Sequence, residues 1–342
     1  MNRSPSRFIA LIVSFLAIAA PAAAGSPQEE VDFRKMPAEG LWFRSRRTIE
    51  VNLDGKVQAG DVGTQRVKQT STYDEAFTEK VLTKKEKEEA EIEPGVTAFT
   101  RDYLQAFTIS TIVTDRMLIP HQDRKDELYS ALDFYATLKD GELELKLNDP
   151  VEGPPIPAPG MAEELAHRFT YPNPIFPETP GPRRIGETWS LAEEAIKKLF
   201  PRRPAHRIHG TLKVRFSRIE PAHPVNFSTV TKQLLPDGDS LLVKSPAAPK
   251  PVRCAVLEAR ARLELRPEDE LPLTLEFAGT FHYSLVHHLV VESSMKGTIR
   301  IQGTLRIHDF DFPGTYSDTT KLEFYEMADG GDENGGGAKG ER

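Results

Sequence analysis

The sequence predicts a mainly β protein: antiparallel curved sheets or an open barrel, with two short helices, arranged as one continuous sheet system or as two similar halves. Three observations carry this. Long stretches alternate apolar and polar residues with period two, the pattern of a half-buried strand. Asp-Gly dipeptides, which supply the positive φ of a tight hairpin turn, punctuate them at Asp54-Gly55, Asp140-Gly141 and Asp237-Gly238. Strong helical periodicity is confined to one short stretch near the middle.

The order of elements follows from the N-terminus. Arg3 and Arg7 precede an apolar run, Phe8 to Ala20, then Pro21 and a small-residue stretch, Ala22-Ala23-Ala24. That is the layout of a cleaved secretory signal over residues 1–24. The run is shorter than the roughly 20 residues a membrane span needs, and no later segment is long and apolar enough to cross as a helix. Loss of the two arginines moves the formal net charge from −7 to −9. Such a chain has no global attraction for nucleic acid. The expected location is periplasmic or extracellular.

Residues 25–149 read as an N-terminal β-rich half. Phe43, Ile49, Val51 and Leu53 alternate with Arg44, Arg46, Thr48, Glu50 and Asn52, and Leu143, Leu145 and Leu147 with Glu144 and Lys146. The mixed-charge run Lys84 to Glu93 reads as a solvated helix or hairpin tip. Residues 150–204 form a proline-rich crossing: ten of the 27 prolines fall between Pro150 and Pro182. Two helices are expected there. Ser190 to Glu193 has the form of a capping box, and Leu191, Ala195, Ile196, Leu199 and Phe200 form a stripe that Pro201 ends. The second runs from Met161 to Phe169. Residues 205–327 form a C-terminal β-rich half, with alternation over Ile208–Phe216, Ala255–Leu265 and Thr298–His308. Residues 328–342 are Gly-rich and polar and read as a disordered tail.

The chemistry-bearing residues are few. Cys254 is the single cysteine, so no internal disulfide forms; its strand setting points to a buried, inert thiol. His287 and His288 are the adjacent pair. In one long strand over Leu271–Val291 they would face opposite ways and could not ligate one metal, and His282 would lie about 20 Å from His288. Asp309 and Asp311, two apart on one face, could contribute to a cation site. These four are the least unfavourable metal ligands, and no cofactor is expected. His167, His206 and His209 lack the spacing of a zincin or finger motif. There is no G-x-S-x-G elbow, P-loop or dinucleotide fingerprint.

Two positive readings remain. Lys213, Arg215, Arg260, Arg262, Arg300 and Arg306 lie on outward positions of three expected strands. Side by side they would make a basic face for a lipid headgroup, a polysaccharide or an envelope protein. The apolar faces of long antiparallel strands could also curl around an apolar cavity. The expected function is therefore an exported, non-catalytic protein that binds an apolar or anionic ligand or a protein partner. The alternatives are a secreted hydrolase or metal-dependent enzyme whose site is built from distant residues, and a structural or assembly protein pairing through edge strands.

Two blocks, GPRRIGETWSL (Gly181 to Leu191) and VLEARARLELRPEDELPLTLEFAGTF (Val256 to Phe281), resemble segments of exported bacterial proteins of planctomycete type. The resemblance implies export and a β-rich fold. It implies no activity and assigns no catalytic residue.

Overall fold

Alternation along the chain becomes strand after strand. The computed structural model describes residues 29–59, 63–117, 119–127, 129–130, 132–139, 142–147, 173–199, 207–234, 240–266, 271–306 and 308–328. The signal segment, the helix expected over Met161–Phe169, the Asp140-Gly141 and Asp237-Gly238 turns, and the tail beyond Ala328 lie outside these. Among the described residues, no helix is long and apolar enough to cross a membrane, which says nothing of crossing by strands.

A two-stranded sheet pairs β1 (Glu30–Val31) with β8 (Arg183–Arg184). Among the described residues, all other strands form one 13-stranded sheet. Its N-terminal members are β2 (Trp42–Ala59), β3 (Gly63–Val81), β4 (Thr97–Thr114), β5 (His121–Asp126), β6 (Asp133–Lys139) and β7 (Glu142–Leu147). Its later members are β9 (Thr188–Ser190), β10 (Arg207–Leu234), β11 (Ser240–Pro246), β12 (Lys250–Arg266), β13 (Leu273–Ser284), β14 (Val290–Leu305) and β15 (His308–Met327). The order is β11-β10-β12-β13-β14-β15-β2-β3-β4-β6-β7, with β5 on β4 and β9 on β10. Neighbours pair antiparallel apart from one contact: Asn226–Val230 of β10 run parallel to Glu323–Met327 of β15. That contact joins both ends of the run β10-β12-β13-β14-β15, so this part of the sheet is curved and ring-like. The first long strand of the N-terminal half, β2, pairs along its length with β15 of the C-terminal half.

Four expectations change. Leu271–Val291 is a hairpin, not one strand: β13 stops at Ser284 and β14 starts at Val290. Ser284 makes the turn. Its Oγ accepts from the Val286 and His287 amides, its carbonyl accepts from the His288 amide at 3.0 Å, and His288 takes φ 57°. Side-chain capping of this kind competes with the ladder, and an apolar run does not reveal it. Thr298–His308 is likewise divided, by a turn in which Arg306 has φ 57°.

Asp54-Gly55 is not a turn. It lies inside the long strand β2, where the ladder with β15 skips from Lys56/Asp311 to Leu53/Gly314. A Cβ on Gly55 would sit 2.2 Å from the Asp311 carbonyl oxygen, and one on Gly314 would sit 2.0 Å from that of Asn52. Glycine here allows two backbones to press together, its other use besides positive φ. Finally, Ser190 ends β9 and does not cap the helix, which spans Glu193–Leu199 (α2). The charged run gives α1 (Lys84–Glu89), a solvated helix without buried residues, closed by a Thr83/Glu86 capping box.

The main core lies on the inner face of the curved sheet. Leu212, Val214 and Phe216 of β10 meet Leu257, Ala259 and Leu263 of β12 and Leu275 and Phe281 of β13. The segments around Phe33 and Ile175–Leu199 fold over one end of this face. Phe33 packs on Phe176, Phe216 and Tyr283, with ring centroids 5.2–5.6 Å apart. The Trp189 indole donates to the Ile175 carbonyl at 3.0 Å. Two smaller cores sit around Phe227, Cys254 and Phe324, and around Phe99, Tyr103 and Phe134.

Candidate ligand-binding site

The covering segments fill only part of the concave face, and the rest is hollow. A cavity of about 410 Å³ is lined by Ile49, Val51 and Leu53 of β2, Leu265 of β12, Leu273 and Leu275 of β13, Ile299 and Ile301 of β14 and Tyr316 of β15. Beyond β2 the lining turns polar, with Gln69, Ser71 and Tyr73 of β3 and Thr108 and Ser110 of β4. Period-two alternation explains the lining, because each strand sends every second residue to one face. Leu199, the last residue of α2, stands at its edge.

A second cavity of about 190 Å³ lies beside it, lined among others by Lys35, Arg101, Lys198, His288, Phe281 and Ser293. Arg47 and Leu199 belong to both. The divider is an ion pair. Arg47 donates from Nε to Asp318 at 3.1 Å and from Nη2 at 2.6 Å, and the Tyr316 hydroxyl donates to the same carboxylate at 3.1 Å. Arg47 side-chain exposure is 24% and that of Asp318 is 1%. Burial works against the Arg47 charge, but the Asp318 carboxylate outweighs it and holds the guanidinium above its ordinary value. Burial, then Asp318, raises the Tyr316 hydroxyl. A second buried pair, Arg101 Nε to Glu79 at 2.7 Å, stands deeper in the same wall.

Two cations at the smaller cavity are differently placed. Lys35 and Lys198 are exposed and make no ion pair among the described residues. Glu194 and Lys198 are four residues apart on α2, but Lys197 takes both Glu193 (3.1 Å) and Glu194 (2.8 Å). Lys198 is thereby left facing the mouth.

His287 and His288 sit in the β13–β14 turn. His287 stacks on Phe324 at 4.1 Å and its Nδ1 lies 2.9 Å from the Ser284 hydroxyl; His288 Nδ1 lies 3.3 Å from the Tyr283 hydroxyl. Burial is the main reason both titrate below the ordinary histidine value. Asp309 accepts from the Thr304 hydroxyl at 2.6 Å, and Asp311 from Arg300 at 2.9 and 3.1 Å. The last contact brings together a residue read as part of a basic face and one read as a cation ligand.

Of the basic face, Lys213 lies opposite Arg260, and Thr211 opposite Arg262. Both pairs are on outward positions. Arg262 meets Glu276 at 3.0 Å, and Arg215 lies opposite Glu258. Arg306 is exposed in its turn, away from Lys213 along the ladder. Cys254 is 0% exposed, and burial pushes its thiol up to about 12, consistent with an inert side chain.

The sequence did not reveal two features. Arg47 and Asp318 are adjacent only because β2 pairs with β15, far apart in the chain. Glu220, His223 and His282 form a compact group of possible metal ligands, their ligand atoms within 4.8 Å of one another. Glu220 and His223 have odd spacing, which in a regular strand means opposite faces. The visible signal was Pro221 and Pro224 flanking Ala222-His223 inside a strand-like run, a mark of a bulge.

No protein-family model matches the chain, and no curated protein matches it. Among solved structures, DynF from the dynemicin biosynthesis pathway of Micromonospora chersina is 7% identical over 89% of this chain and 88% of its own, with TM-score 0.15. The transport unit of the autotransporter AIDA-I from Escherichia coli is 7% identical over 84% and 90%, with TM-score 0.16. Similarity this low carries no argument. The class is defined by the chain itself: a β-rich protein with one curved, ring-like, mostly antiparallel sheet and cavities on its inner face.

Proposed function

We propose that the protein is a non-catalytic binding protein for one apolar or amphipathic, lipid-like molecule, acting outside the cytoplasm after export. The observation that carries the reading is the cavity of about 410 Å³ walled by leucine and isoleucine from four strands. Pockets for small organic ligands are apolar hollows of roughly 300–1,000 Å³ with few polar groups. Lys35 and Lys198 at the neighbouring mouth suit an anionic head, while the Arg47–Asp318 pair is already satisfied and orients what enters.

The test is native mass spectrometry of the protein purified from a producing cell, followed by titration with a fluorescent long-chain fatty acid. The expected result is one bound mass of a few hundred daltons, or saturable 1:1 uptake of the probe. Ile299→Trp, which fills the cavity, should weaken uptake at least tenfold; Lys35→Glu with Lys198→Glu should weaken an anionic probe and spare a neutral one. A protein that takes up no probe, or takes it up equally well as Ile299→Trp, would refute the reading.

A further inference from the structure

On β13 and β14, Phe281 and Ser293 face the cavity, and the residues next to them face away. On that far side His282 lies directly opposite Glu292, and the middle of β10 brings up Glu220 and His223. Two bulges make this possible. The β10–β12 register slips between Glu220 and His223, and the β13–β14 register slips just after His282. A bulge re-aims side chains, and bulges concentrate at functional sites.

The geometry comes near that of a coordination sphere: one ligand atom from each of the three residues lies within 4.8 Å of the others, and the two short Glu220 contacts use different oxygens of its carboxylate. Glu220 Oε1 lies 3.5 Å from His223 Nδ1, and Glu220 Oε2 lies 3.4 Å from His282 Nε2. A tetrahedral ion about 2.0–2.1 Å from its nitrogen and oxygen ligands has ligand–ligand edges of about 3.4 Å. The other nitrogen of His223, Nε2, lies 3.1 Å from Glu292. A carboxylate behind a ligating histidine fixes its tautomer and raises its basicity. Glu292 is held in turn by Lys321 at 3.2 Å. The His223 side chain is 8% exposed and Glu220 is 31% exposed, so the site has a buried floor and an entrance. His282 Nδ1 is buried with no hydrogen-bond partner.

We propose that Glu220, His223 and His282 form a three-ligand site for a divalent transition-metal ion, zinc foremost, with Glu292 positioning His223. Mixed imidazole and carboxylate ligands suit zinc, cobalt, nickel or copper better than calcium or magnesium. Three protein ligands leave one tetrahedral position for water or another ligand. The two imidazoles stack at 4.0 Å with planes 14° apart, so binding requires each ring to turn its lone pair toward the ion. The site is separate from the cavity and does not rest on the lipid reading.

The experiment is titration of chelator-treated protein with Zn²⁺ by calorimetry, and with Co²⁺ by visible absorption. One ion per chain is expected, with the intense visible bands of low-symmetry cobalt. Glu220→Gln and His282→Gln should each weaken binding at least tenfold. Glu292→Gln should weaken it about 10- to 100-fold while leaving the stoichiometry intact. His287→Gln, in the neighbouring turn, should change nothing. Circular dichroism checks that each variant folds; Glu220→Gln, at a partly exposed position, is the variant least able to disturb the core. No saturable uptake below millimolar Zn²⁺, or uptake that survives both ligand variants, would overturn the proposal.

Discussion

Asp318 shows how much can depend on one side chain. It is 1% exposed and accepts hydrogen bonds from Arg47 and Tyr316. Removing one partner of a buried pair leaves the other charge uncompensated, at about 3–5 kcal/mol. Asp318→Ala should therefore destabilise the protein by about 3 kcal/mol, toward the low end because Arg47 reaches some solvent. Urea denaturation measures this. A change below about 1 kcal/mol, the usual size for an exposed pair, would mean that water already screens it. At this scale the sequence was partly legible. Cys254 as a buried thiol followed from its apolar strand. Asp318 was not legible, since nothing in Tyr316-Ser317-Asp318 distinguishes an inward carboxylate from an outward one until the facing strand is known.

At the scale of elements, the β13–β14 turn links stability to pH. His287 and His288 titrate below 6.5, chiefly through burial. Below that value the unfolded chain binds protons that the folded chain refuses. Their contribution is therefore fully present above the unfolded value and is lost as the pH falls from it toward the folded value. Urea unfolding across this window should show stability declining with falling pH. The double variant His287→Gln, His288→Asn should flatten the slope, with asparagine tolerating the left-handed backbone at 288. An unchanged slope would assign the decline to other groups. Strands themselves were readable from alternation, as in β2, β10 and β12. Their interruptions were not. Ser284 breaks an apolar run through its hydroxyl, while Gly55 and Gly314, which resemble turn residues, sit where two strands cross closely. Glycine serves both purposes, and only the partner strand distinguishes them.

Across the whole molecule, the 13-stranded sheet runs from β11 to β7 through strands of both halves. Trp42 stands at the start of β2, in the N-terminal half, and Trp189 in β9, which pairs with β10 of the C-terminal half. A shared sheet gives a shared transition. Tryptophan fluorescence and far-ultraviolet circular dichroism should report coincident unfolding in urea; two separated transitions would show that the halves fold independently. The order of the sheet was not legible, because the β2–β15 and β10–β15 contacts join residues that no local pattern connects. The β2–β15 pairing also bears on how the chain is made. β2 emerges from the ribosome well before β15, its partner along fifteen paired positions. Until β15 is free, one edge of β2 has no neighbour, the ring cannot close, and the walls of the cavity face water. The lining of the cavity is thus complete only once β15 has joined both β2 and β10.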